Sequence, residues 1–169
     1  SFEDPITVST DNGTTANGPV RVIAVDVDDD GLRDLVTANG GDRAGFFNLN
    51  NTLSVIINEG NNQFAAAEAV IVEGGVSDVI AEDFNRDGIP DLAATSARSN
   101  SVTVRLGNGD GTFGTGTLFT LDQSLATSSL VSGDFNGDTI PDIATANRDS
   151  DDVFILLGSG DGNFLSADQ

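Results

Sequence analysis

The 169-residue chain sets 27 acidic side chains against seven arginines, for a net charge of −20 and an isoelectric point near 4.1. That excludes the basic surface which draws nucleic acid or an anionic membrane, so neither partner is expected. Cysteine, histidine, methionine, tryptophan, tyrosine and lysine are all absent, which removes disulfides, Cys/His zinc sites and Ser-His or Cys-His nucleophile pairs.

The chain opens with Phe2 and a strand-like run, ITVST, at 6–10, followed by a polar stretch and the alternating run VRVIAVDV at 20–27. There follow an acidic loop, DVDDDGLRD at 26–34, a second short run, DLVTAN at 34–39, and a third, TLSVIINEG at 52–60, which ends in a turn closing on Phe64. The order then repeats. AEAVIV at 67–72, VSDVIAED at 76–83, the loop DFNRDGIPD at 83–91, DLAATS at 91–96 and SVTVRLGNG at 101–109 lead to Phe113. TLFTL at 117–121, SLVSGD at 129–134, DFNGDTIPD at 134–142, DIATAN at 142–147 and DVFILLGSG at 152–160 lead to Phe164. This is an all-β repeat of four strands per unit, divided as 1–64, 65–113 and 114–169. The first unit is longer than the others, and its insertion maps to GGDRAGFFNLN at 40–50.

The loops start at Asp26, Asp83 and Asp134, and each places oxygen-bearing side chains at alternate positions with an aspartate at the ninth. Carboxylates roughly 4–5 Å apart repel by about 3–4 kcal/mol per pair at an effective dielectric near 20, so such a loop calls for a cation. A flexible loop of oxygen donors suits Ca²⁺ better than Mg²⁺, which demands near-ideal octahedral geometry. The expected ligands are Asp26, Asp28, Asp30, the Leu32 carbonyl and Asp34; Asp83, Asn85, Asp87, the Ile89 carbonyl and Asp91; and Asp134, Asn136, Asp138, the Ile140 carbonyl and Asp142, for up to three Ca²⁺. A solvated acidic turn is the plainer alternative for one copy, but three copies in register argue against it. The helix-loop-helix calcium hand needs a Glu at position twelve, where this chain has Thr37, Ala94 and Thr145.

The order of strand, strand, DxNxDGxPDL loop, strand, strand and GNGDGTF turn resembles the FG-GAP family, also called VCBS-type repeats, which forms the calcium-loop blades of integrin α-subunit propellers and of many secreted microbial proteins. The resemblance covers almost the whole chain. It implies four-stranded antiparallel blades packed radially as a β-propeller, with Ca²⁺ in the loop between the second and third strands of each unit. Two departures matter. Thr139 replaces the sixth-position glycine of the third loop, which weakens that site, and Asp28 stands where the siblings have Asn85 and Asn136, which strengthens the first. The glycines of the GDG turns, Gly111 and Gly162, read as plain hairpin residues rather than a further ion site.

Three units fall short of the four to eight blades of a closed propeller. Either the chain is part of a longer one, or copies associate head to tail through their open end blades into a ring or filament. Weak calcium sites point outside the cell, where calcium is plentiful, and the lack of a leader or initiating Met suggests a mature or excised fragment. Asn12 and Asn50 match glycosylation sequons. Phe46 and Phe47 in the first-unit insertion offer a contact patch unless one folds back onto the blade edge, Phe84 and Phe135 read as core, and the arginines read as scattered surface charges. The leading function is a non-enzymatic extracellular calcium-binding module with a structural or adhesive role. The alternatives are a carbohydrate-binding lectin-like propeller, for which the usual Trp or Tyr stacking platform is missing, and an accessory segment of a secreted enzyme. A carboxylate pair of the glycosidase kind is the one catalytic option left, and the clustered acids already belong to calcium.

Overall fold

A computed structural model describes residues 5–11, 18–40, 52–72, 74–96, 98–121 and 126–166. Phe2, Phe46, Phe47 and both sequons, Asn12 and Asn50, lie outside the described residues.

The alternating runs fold as antiparallel strands, because β-branched and small residues at period two suit a half-buried pleat. The first sheet orders β1 (Arg21–Val25), β2 (Asp34–Ala38), β3 (Thr52–Ile56) and β6 (Glu68–Ile71), and a small hairpin of β4 (Asn58–Gly60) and β5 (Gln63–Phe64) follows β3. The second orders β7 (Val76–Glu82), β8 (Asp91–Ser96), β9 (Ser101–Arg105) and β10 (Thr117–Thr120). The third orders β11 (Thr127–Gly133), β12 (Asp142–Asn147), β13 (Asp152–Gly158) and β14 (Phe164–Ser166). These are three β-propeller-type blades in an open fan, with no closed sheet.

The sheets are offset from the sequence repeat by one strand. AEAVIV and TLFTL, which head the second and third units in sequence, become the outer strands β6 and β10 of the preceding sheets, paired to β3 and β9. Each crossing ties consecutive repeats together. The corresponding run ITVST, expected as a strand, forms none. Its Thr10 carbonyl accepts a hydroxyl hydrogen bond from Ser54, at 2.9 Å, rather than a ladder bond from a neighbouring strand. In the third sheet β14 pairs with Leu156–Gly158, whereas β6 and β10 pair with Thr52–Val55 and Ser101–Val104.

Cross-strand partners share a face, so the ladders assign each side of each sheet. The row Ile23, Val36 and Val55 of the first sheet meets Val79, Leu92 and Ala94 of the second. One repeat later, the equivalent row Ile80, Ala93 and Val104 meets Leu130, Ile143 and Leu156 of the third. Equivalent again is Val131, Ala144 and Ile155, the outer face of the third sheet, where Val131 and Val153 are 55% and 58% exposed. Polar groups tie the converging strands β1, β7 and β11. Buried Asp78 pairs with Arg21 Nε at 3.2 Å and accepts from Ser129 Oγ at 3.0 Å and from the Leu130 amide at 3.2 Å.

Phe84, from the second acidic loop, is fully buried and meets Phe164 edge-on at 5.4 Å, while Phe119 meets the same ring at 5.3 Å. Each such contact adds to area burial. Phe84→Ala is therefore expected to cost about 3–5 kcal/mol in denaturant unfolding; a loss under about 1 kcal/mol would show that this aromatic cluster does not hold the second and third sheets together.

Candidate metal centres

The three acidic loops join β1 to β2, β7 to β8 and β11 to β12, and their ninth-position aspartates begin the receiving strands. Asp34, Asp91 and Asp142 are wholly buried, and each makes the same two bonds. One oxygen accepts from the second residue of its own loop, Val27, Phe84 or Phe135, at 2.8–2.9 Å. The other accepts from the amide just past the third strand or at its end, Asn58, Gly107 or Gly158, at 2.8–2.9 Å. A buried carboxylate needs such donors, and here the donors are the loop and the third strand themselves.

Inside the loop the carboxylates are wrapped by backbone amides in the same order each time. The first position accepts from the sixth (Asp26 from Gly31, Asp83 from Gly88, Asp134 from Thr139) at 2.8–2.9 Å. The fifth accepts from the seventh (Asp30 from Leu32, Asp87 from Ile89, Asp138 from Ile140) at 2.7–2.8 Å. Such tight winding requires left-handed backbone at the fourth and sixth positions. The fourth holds Asp29, Arg86 and Gly137, and the sixth holds Gly31, Gly88 and Thr139, all at positive φ. The third loop has thus moved its glycine from sixth place to fourth. Thr139 at φ 68° still bears strain of about 1–2 kcal/mol, partly offset because Gly137 relieves the position where the siblings strain Asp29 and Arg86.

The first loop fits a cation best. Oxygens of Asp26, Asp28 and Asp34 lie within 4.8 Å of one another, and Asp26 Oδ1 is buried without a hydrogen-bond partner. An orphaned buried carboxylate oxygen in an all-oxygen site is what a hard divalent ion would satisfy. Desolvation, followed by the charges of Asp34 and Asp30, pushes the Asp28 carboxyl above its ordinary 3.8. Asp30 is exposed and stands outside that group of three. Among the described residues no second trio of acids closes to that distance. In the second and third loops the third-position amides of Asn85 and Asn136 instead donate to Asp87 and Asp138 at 2.8 Å. Desolvation raises Asp91 as well, whereas the amides of Thr139, Gly137 and Asp138 lower Asp134.

A further contact at the first two loops is invisible to motif reading. The GDG turn glycines, Gly111 and Gly162, at positive φ, donate their amides to the second-position carbonyls of the preceding repeat's loop, Val27 at 3.0 Å and Phe84 at 3.2 Å. A Cβ on Gly111 would come within 2.8 Å of Ile57, and one on Gly162 within 2.7 Å of Leu106, so each glycine permits close approach. The first and second loops are thereby each capped by the turn of the next repeat. Among the described residues the third loop receives no such cap, and Phe135, expected in the core like Phe84, is 47% exposed.

The FG-GAP-like repeat model matches residues 26–94 and 83–145, more than half of the chain. No curated protein matches the sequence. Among solved structures the chain is similar to a lectin of Agrocybe aegerita whose structure explains specific recognition of non-reducing terminal N-acetylglucosamine, at TM-score 0.52 and 19% identity, covering 89% of this chain and 52% of that one. The chain thus spans about half the length of that structure, and the likeness is one of fold. With three loop-and-blade units in register, and with the family's pattern extending from the first acidic loop into β12, the chain belongs to the FG-GAP-like repeat family.

Proposed function

We propose that this chain is a calcium-binding repeat module of an extracellular protein with a structural or adhesive role rather than a catalytic one. The observation that carries this reading is the partnerless buried Asp26 Oδ1 beside the convergent oxygens of Asp28 and Asp34. Asp30 and the Leu32 carbonyl would complete the first site. Asp83, Asn85, Asp87, the Ile89 carbonyl and Asp91 would hold a second ion, and Asp134, Asn136, Asp138, the Ile140 carbonyl and Asp142 a third. A bound Ca²⁺ supplies the positive charge that these clustered acids lack. The chain's own residues hold the loop open for it, through the ninth-position clamp and the glycine cap. Sites of millimolar affinity suit an extracellular setting. No helix among the described residues is long and apolar enough to cross a membrane.

The exposed outer face of the third sheet supports head-to-tail association with another copy or a following blade. Val131, Val153 and Leu165 lie on the face whose equivalents twice receive a neighbouring sheet within this chain. A second reading, glycan binding, draws on the fold likeness to the lectin.

Calorimetric titration is expected to count up to three ions, and chelation is expected to lower stability by about 1–2 kcal/mol per site, roughly 3–6 in all at millimolar calcium. Thermal unfolding unchanged by chelation would defeat the reading. Sedimentation of the calcium-loaded sample reads the association: mass growing with concentration supports it, and a fixed monomer refutes it. Acid should separate the sites. Ca²⁺ requires the carboxylate form; Asp28, raised above 3.8, takes up its proton at a higher pH than Asp134, lowered below 3.8. The first loop's affinity is thus expected to fall at higher pH than the third's, and the stability contributed by Asp134 is present above 3.8 and lost as pH drops through its depressed value. Titrations at stepped pH check this order, and a third loop that empties first would contradict it.

A further inference from the structure

The space between the first and second sheets differs from its counterpart between the second and third. Ladder partners fix the equivalences: Arg105 opposite Leu92 corresponds to Leu156 opposite Ile143, and Val70 opposite Leu53 corresponds to Phe119 opposite Val102. Between the second and third sheets Phe119 packs against Phe164, and Leu156 is buried. Between the first and second, the smaller Val70 and the charged Arg105 leave a cavity of about 420 Å³, lined also by Val55, Glu68, Asp110 and Phe113. That volume falls within the range of small-molecule sites.

Arg105 is not the scattered surface charge that its sequence context suggests. It occupies the position at which Ile56 and Leu156 are core residues, with Ile56 opposite Leu35 just as Arg105 lies opposite Leu92. Its Nε is buried and has no hydrogen-bond partner, while a terminal nitrogen donates to the Gly114 carbonyl at 2.6 Å. No ion pair to Arg105 occurs among the described residues. Gly116 makes the room, since a Cβ there would come within 3.3 Å of Nε. A guanidinium at a core position with an unmet donor costs stability that the sibling Leu156 avoids. The guanidinium lines the cavity, and a fork with an unmet donor favours a ligand that brings acceptor oxygens.

The chemistry of the lining narrows the ligand. Arg105 needs an acceptor oxygen, whereas Glu68 and ionised Asp110 need donors. The Thr112 hydroxyl and amide hold Asp110 below the usual carboxylate range. Two carboxylates at the cavity and a net charge of −20 oppose a free anion. We propose that this cavity is a sugar site, in which a neutral pyranose lays its C–H face on Val70 and Phe113, accepts from Arg105 through ring-hydroxyl oxygens and donates to Glu68 and Asp110. The proposal rests on the glycan reading above and gives that reading a place.

Titration calorimetry of the calcium-loaded chain with N-acetylglucosamine, galactose, mannose and, separately, acetate tests it. At least one neutral sugar is expected to bind and acetate to fail. Arg105→Leu and Val70→Phe, each the sibling's own residue, should weaken binding about tenfold or more. Arg105→Leu should also hold or raise the unfolding temperature, because it removes a desolvated charge. Sugar binding unchanged in both variants overturns this site and leaves the glycan reading standing elsewhere on the chain. Acetate binding that depends on Arg105, without sugar binding, overturns the ligand class. Absence of binding by all three sugars overturns both the site and the glycan reading.

Discussion

The buried ninth-position aspartate is the constraint on which the rest of each blade depends. Asp34, Asp91 and Asp142 each spend one oxygen on the loop before them and the other on the amide at or just past the end of the third strand. A single side chain thereby sets the loop's shape, the start of the second strand and the register of the third. Charge-assisted hydrogen bonds of this kind are roughly twice as strong as neutral ones, and losing the acceptor would leave two amides without their partner. In the first loop the same carboxylate, Asp34, lies within 4.8 Å of oxygens of Asp26 and Asp28, so strand geometry and the acid cluster are coupled through one residue.

Consecutive repeats are joined by three different devices. The outer strand of one sheet is drawn from the head of the next unit, as β6 and β10 show. The glycine turn of one unit caps the acidic loop of the unit before it. Near the convergence of the inner strands, Asp78 links Arg21 to Ser129 and Leu130. Each bond in these devices joins adjacent repeats, which is how a quasi-one-dimensional repeat array transmits stability. The end faces are consequently the places where the pattern remains open, as exposed Val131 and Val153 on one side illustrate.

Much of this was legible in the residues. Period-two runs and the spacing of Asp and Gly located all but one of the expected strands, because local pleat and turn preferences agree with the fold there. ITVST misled because β propensity says nothing about which edge is available to pair with. Phe84 and Phe135 occupy the same motif position, yet one is 1% and the other 47% exposed, since their cover comes from a turn one repeat later rather than from neighbours in sequence. Gly111 and Gly162 looked like ordinary hairpin residues; their inter-repeat hydrogen bonds appear only once the sheets are stacked. Arg105 could have been noticed by aligning the repeats internally, where it interrupts an otherwise aliphatic position.

Amide hydrogen exchange tests the clamp most directly. If the ninth-position aspartates bind loop and third strand into one unit, the amides of Val27, Phe84, Phe135, Asn58, Gly107 and Gly158 should be as protected as those inside β2, β8 and β12, and Asp91→Ala should release Phe84 and Gly107 together. Exchange of these amides at the rate of open loop residues, with the strands still protected, would contradict the account.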